Sequence, residues 1–266
     1  CIAAAVAAPR PPARRRPAAS PAAVDLALNL GAWGAAIPDS NMALAQEAAR
    51  VAYSVVWAAE AYGSDAVTVL SWMGALTQNV DLGSAVMQIP ARTPAMTAMT
   101  AATLDTLSGG RFRLGLGVSG PQVSEGWHGV KFDEPLGRTR EYVDIVGMAL
   151  RRETVAFDGK HWTLPLPGGP GKALKMSINP VRNHIPVYLA AIGPRNLELA
   201  GEIADVWLAV FFSPEQSADL LASLMIGRSR ADRGTDYARL AGFDIVPTVP
   251  FVLSGDLQAA SSLLRP

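Results

Sequence analysis

The stretch TLDTLSGGRFRLGLGVSG, Thr103–Gly120, decides the fold. Its first part is the end of a helix: Ser108-Gly109-Gly110 closes it, since glycine readily takes the left-handed conformation found where helices stop. Phe112–Gly117 then alternates with a period of two. Phe112, Leu114 and Leu116 share one parity, and Arg113, Gly115 and Gly117 share the other, so this is a strand with two unlike faces. Val118-Ser119-Gly120 leaves that strand as a glycine-rich loop. Helix, strand and loop follow one another directly, which is the grammar of an alternating α/β chain.

Reading upstream, Thr93-Pro94 opens that helix with a capping hydroxyl and a proline at the first helical position. Val80–Gln88 reads as a strand, Asp65–Thr77 as a helix, Ser54–Glu60 (SVVWAAE) as a strand, and 41–52 as a helix that Ser40 caps. Val24–Leu30 (VDLALNL) is the first strand. Downstream, Pro121-Gln-Val-Ser-Glu-Gly126 is a poor helix start, and a charged helix is expected over 138–151. Thr154–Leu164 reads as a β-hairpin turning at Asp158-Gly159. Alternation resumes with a strand at Val187–Ala191, a helix from Pro194 and a strand at Val206–Phe212. Ser213-Pro214-Glu215-Gln216 has capping-box spacing for the next helix, and Phe243–Val249 is the seventh strand. Strands separated by helices imply a parallel sheet. Seven such units predict a TIM-type (β/α) barrel over 22–266, with the hairpin inserted near 153–171. The tail 1–21 is expected to be disordered or foreign to the fold. Small interior residues at the end of the fourth strand would leave room for a flat ligand at the C-terminal mouth, where barrel sites sit.

Composition narrows the function. The 266 residues carry 23 Lys+Arg against 23 Asp+Glu, and a net charge of zero argues against nucleic acid as a partner. No apolar run approaches the roughly 20 residues of a membrane span. One cysteine excludes an internal disulfide framework and fits a cytoplasmic protein. His128, His161 and His184 have no metal-ligand spacing, and no metal is expected. No H-E-x-x-H, G-x-S-x-G or C-x-x-C occurs.

Three places carry candidate chemistry. Gly115-Leu-Gly117-Val-Ser-Gly120 matches G-x-G-x-x-G but follows the fourth strand, whereas a dinucleotide fold needs it after the first. It reads better as a loop whose backbone N–H groups meet a phosphate, with Ser119 adding a hydroxyl. Glycines that merely permit an unusual turn are the plain alternative. Ala190-Ala191-Ile192-Gly193-Pro194 is a second anion candidate, since the N–H groups and dipole of a helix start favour negative charge. Glu60 ends a strand otherwise built of Ser, Val, Trp and Ala. Its carboxylate either touches a ligand and relays a proton or forms an ion pair at the rim.

The stretches VVWAAEAYGSDA (55–66), VDLGSAVMQIPARTPAMTAMTAATLDTLSGGRFRLGLGVSG (80–120), GRTREYVDIV (137–146) and YLAAIGPRNLELAGEIADVWL (188–208) resemble the bacterial-luciferase-like superfamily. They are most similar to its branch using the deazaflavin coenzyme F-420. The resemblance implies a TIM-type barrel whose final strand and helices this chain lacks. It implies a cofactor ring at the mouth, buttressed by a bulge with a non-prolyl cis peptide at Ala85-Val86, after Ser84. Phosphate contacts would map onto Gly117, Val118, Ser119, Gly120, Ala191, Ile192, Gly193 and Pro194, and Glu60 onto an acid close to the ring. Ala61-Tyr62 stand where several members have a histidine, and Pro121-Gln122 where the glucose-6-phosphate type has a glutamate. The activity implied is therefore hydride transfer to a small organic substrate, methylene-tetrahydromethanopterin-reductase-like. An FMN-dependent luciferase-like monooxygenase and a non-catalytic truncated homologue are the alternatives. A homodimer is the family's habit.

Overall fold

Trp57 and Tyr188 show how the sheet is shaped. In the computed structural model, which describes residues 25–31, 39–210, 212–231 and 242–264, they sit on strands three places apart in one sheet. A flat sheet would separate such strands by roughly 14 Å. Their ring centroids are 5.1 Å apart, edge to face. The sheet therefore curls until its inner faces meet.

The elements come in the predicted order. Strand β1 (Ala27–Asn29) is followed by helix α1 (Asp39–Arg50), β2 (Val55–Ala58), α2 (Ala66–Leu76), β3 (Asp81–Ser84) and β4 (Met87–Gln88). Next come α3 (Pro94–Ser108), β5 (Phe112–Gly117), α4 (Pro121–Gly126) and α5 (Pro135–Leu150). Short strands β6 (Thr154–Val155), β7 (Phe157–Asp158), β8 (Thr163–Leu164) and β9 (Leu174–Lys175) form the insertion. The main pattern continues through β10 (Val187–Ala190), α6 (Pro194–Ile203), β11 (Val206–Ala209), α7 (Ala218–Arg230), β12 (Asp244–Pro247) and α8 (Leu257–Leu264). The expected tail, 1–21, lies outside the described residues.

Pairing is parallel and runs in chain order, β1-β2-β3-β5-β10-β11-β12, with β4 also on β5. A doubly wound dinucleotide fold reverses its strand order at a switch point. This order never reverses, so the Rossmann reading of the glycine motif fails. Among the described residues the sheet is open, with β1 and β12 at its edges. The barrel expected from sequence is thus seen as a curled, parallel half-barrel. Its outer face packs Phe112, Leu114 and Leu116 on Ala98, Ala101, Leu104 and Tyr142 of α3 and α5. Its inner face gathers Val55, Trp57, Tyr188, Val206 and Leu208. Among the described residues no helix is long and apolar enough to cross a membrane.

Several local expectations need correction. Helix α1 starts at Asp39, leaving Ser40 inside it rather than at its cap. Residues 121–126, read as a poor helix start, form α4, fastened where Ser124 Oγ donates to the Val130 carbonyl and the Val130 amide donates to that of Ser124. The hairpin does not turn at Asp158-Gly159 alone: Phe157 pairs with Leu164 and Asp158 with Thr163, leaving a longer loop. Glu141 causes this by accepting the amides of Lys160, His161 and Trp162 at 2.8, 2.8 and 3.0 Å. The Ser213 capping box does not form. Ser213 Oγ donates instead to Glu215, Pro214–Gln216 is a 3-10 turn, and α7 begins at Ala218.

Candidate functional site

The site is built where β3 breaks. The strand pairs with β5 through Leu82 and Gly83, the peptide Ala85-Val86 is cis, and pairing resumes with Met87 and Gln88 of β4. The Ser84 side chain fills the gap in the ladder. Its Oγ donates to the Gly115 carbonyl and accepts the Gly115 amide, both at 2.8 Å. This is how a parallel sheet carries a bulge without orphaning buried backbone groups.

The glycines of β5 serve that bulge. A Cβ on Gly115 would lie 1.7 Å from the Ser84 carbonyl oxygen, and one on Gly117 2.5 Å from Val86 Cγ2. The expectation that these glycines leave room for a ligand is therefore corrected. Their space is already filled from within the protein, and Ala85 and Val86 are the partly exposed residues of the bulge.

Both anion candidates lie at the same end of neighbouring strands. Leu116 is in register with Leu189, so Val118-Ser119-Gly120 and Ala191-Ile192-Gly193 leave β5 and β10 side by side. Among the described residues the amides of Val118, Ser119, Gly120, Ile192 and Gly193 have no protein acceptor. Gly193, at φ 79°, caps α6, and nothing lies within 4 Å of where its Cβ would be. Pro194 is the first residue of that helix. Five backbone donors and a helix start thus lie at the ends of two adjacent strands.

Ser119 needs a second correction. It sits at φ 62°, and its Oγ donates to Gln88 Oε1 at 2.6 Å. The orientation of the Gln88 amide is set because its Nε2 donates to the Ala61 carbonyl at 2.8 Å. The hydroxyl proton is therefore spent inside the protein.

Glu60 is also occupied. Its Oε1 accepts the Gln88 amide at 2.9 Å and Arg92 Nη1; its Oε2 accepts the Ala66 amide at 3.1 Å and Arg92 Nη2 at 3.0 Å. The side chain is only 6% exposed. Of the two readings open from sequence, this geometry is the ion pair. Burial works against the Arg92 charge, but Glu60 and Asp65 beside it hold its pKa above the ordinary value. Sequence reading missed Gln88 and Arg92. A lone cation in QIPARTP, between an apolar strand and an uncharged helix start, was the available signal.

A cavity of about 290 Å³ opens beside Val118, lined by Ile89, Arg92, Phe132, Arg138 and Trp162 among others. His184 pairs with Asp205 at 2.8 Å, and His161 lies 3.3 Å from Glu134. Among the described residues no three His, Cys, Asp or Glu side chains come together as a metal-binding group.

Residues 15–266 match the sequence profile of the luciferase-like monooxygenases. The chain is 47% identical, over 92% of its length, to Rv3520c of Mycobacterium tuberculosis, provisionally named a coenzyme F420-dependent oxidoreductase, and spans 71% of that protein. It is 31% identical, over 71% of its length, to the 5,10-methylenetetrahydromethanopterin reductase of Methanolobus tindarius, of which it spans 56%. In fold it is similar to the coenzyme F420-dependent tetrahydromethanopterin reductase of Methanopyrus kandleri, with a TM-score of 0.75 and 23% identity over 89% of this chain and 69% of that one.

Proposed function

The chain belongs to the luciferase-like monooxygenase family, and from that membership we propose that it is a coenzyme F-420-dependent oxidoreductase acting on a small organic substrate. The observation that carries this is the pair of backbone cradles at the ends of β5 and β10, beside the Ala85-Val86 bulge. These residues fit the coenzyme. Amides of Val118, Ser119, Gly120, Ile192 and Gly193 would hold its phosphate, and Ala85 and Val86 would support its ring. When bound, the deazaflavin supplies a centre that gives or takes a hydride; the protein's part is to bind, orient and exclude water. The half-barrel is read as part of a TIM-type barrel with this site at its mouth.

Titration with oxidised coenzyme F-420 and, separately, with FMN tests the proposal. A saturable spectral change with F-420 at micromolar concentration is expected. Tight binding of FMN without a deazaflavin effect would give the monooxygenase reading, which the family's own name favours.

Two copies are proposed to associate through α2 and α3. Helix α2 carries no charged residue, and the one on α3, Asp105, is buried. Trp72, Leu76, Met96, Met99 and Leu107 are exposed on these packed helices. A face of this kind suits an identical face, which brings no unpaired charge to it.

A further inference from the structure

We propose that Glu60 is a positioning residue, acting through Gln88 to hold the ring-supporting bulge and the anion loop as one unit. The inference rests on the cofactor reading above for its consequence, but on the free protein for its geometry. Glu60 fixes the Gln88 main chain by accepting its amide, two residues beyond Val86. The Gln88 side chain, 4% exposed, then reaches in two directions, to the Ala61 carbonyl and to the Ser119 hydroxyl. One carboxylate thereby ties the ends of β2, β4 and β5. Ser119 is the residue that most needs such a tie. Its left-handed φ of 62° is uncommon outside glycine, and among the described residues its neighbours' amides have no protein acceptor.

The same bonds leave Glu60 unsuited to carrying a proton to substrate. Arg92 covers both its oxygens, and the charged or titratable groups around the pair are Asp65, which also binds Arg92, and Tyr142. Glu60 acts on the chemistry by placing other atoms.

The test uses Gln88→Met, which keeps the volume and the Glu60–Arg92 pair, together with Ser119→Ala, their double variant, and Glu60→Gln. In the free protein, the 15N order parameters of the 118–120 amides should fall from about 0.85 to below about 0.6 in Gln88→Met and Ser119→Ala. Coenzyme F-420 should dissociate about tenfold more readily from each, and no more readily from the double variant, because both break one tie. Glu60→Gln should weaken F-420 binding while the pH profile of turnover keeps its shape. Additive losses in the double variant would mean that Ser119 touches the phosphate itself. Those losses, unchanged order parameters at 118–120, or an ionisation missing from the Glu60→Gln profile would each overturn the proposal. If the unaltered protein binds neither F-420 nor FMN, the proposed function fails, and the order parameters of the free protein still decide the positioning role.

Discussion

Ser84 and Gly115 exchange two hydrogen bonds through one hydroxyl, both at 2.8 Å, while the Ser84 carbonyl takes the place of a Gly115 side chain. Ser84→Ala leaves a buried amide and a buried carbonyl without their partner, a loss of about 2–4 kcal/mol. Gly115→Ala should be worse, since the new Cβ would meet the Ser84 backbone oxygen and no rotamer relieves it. Urea denaturation of the two variants checks the order; an intact Gly115→Ala protein of full stability would contradict it.

Gly117 meets Val86 differently. The obstructing atom is a side-chain methyl, so Gly117→Ala should fold and displace Val86. Coenzyme binding is expected to fall several-fold, and Val86→Ala in the same chain to recover most of it. A double-mutant cycle on F-420 affinity measures the recovery.

Gly193 holds the second cradle open at φ 79°. Gly193→Ala meets no neighbour, but φ 79° with ψ 152° is a conformation essentially confined to glycine, and the strain is about 1–3 kcal/mol. The expected result is a drop of several degrees in melting temperature with a clear loss of F-420 affinity, read by calorimetry and titration.

Helices α5 and α6 are joined by Arg140 and Glu202 through two contacts of 2.7 Å. The Arg140 hydrogen bond holds the Glu202 carboxyl below its ordinary value near 4.5. A lowered folded-state pKa gives stability that is complete above the unfolded value and lost as pH falls through the folded one. Unfolding free energy should therefore decline below about pH 4.5, and less steeply in Glu202→Gln. Urea curves between pH 7 and 3 compare the two slopes.

The α2–α3 face predicts the assembly. Trp72→Lys with Met99→Lys places charge on a surface that has none. Light scattering should show a dimer for the unaltered chain and a monomer for the variant, with circular dichroism unchanged.

Much of this was legible in the order of residues. Capping and glycine signals set α2 and α3: Asp65 accepts the Thr68 amide at 2.7 Å, Thr93 accepts that of Met96 at 3.2 Å, and Gly109 ends its helix at φ 72°. The two-residue period of Phe112–Gly117 named the faces of β5 correctly, because side-chain direction in a strand follows from the backbone alone. The two glycine loops were likewise visible as anion candidates. Their adjacency followed once parallel alternation was read.

What Glu60, Ser119, Gly115 and Gly117 do was decided only by folding. Glu60 meets Gln88 and Arg92, 28 and 32 positions away, and Ser119 meets Gln88 across 31. Periodicity and capping are local, reaching a few residues along the chain. A carboxylate's role depends on which donors the curled sheet delivers to it, and only the closed geometry of three strand ends supplies them.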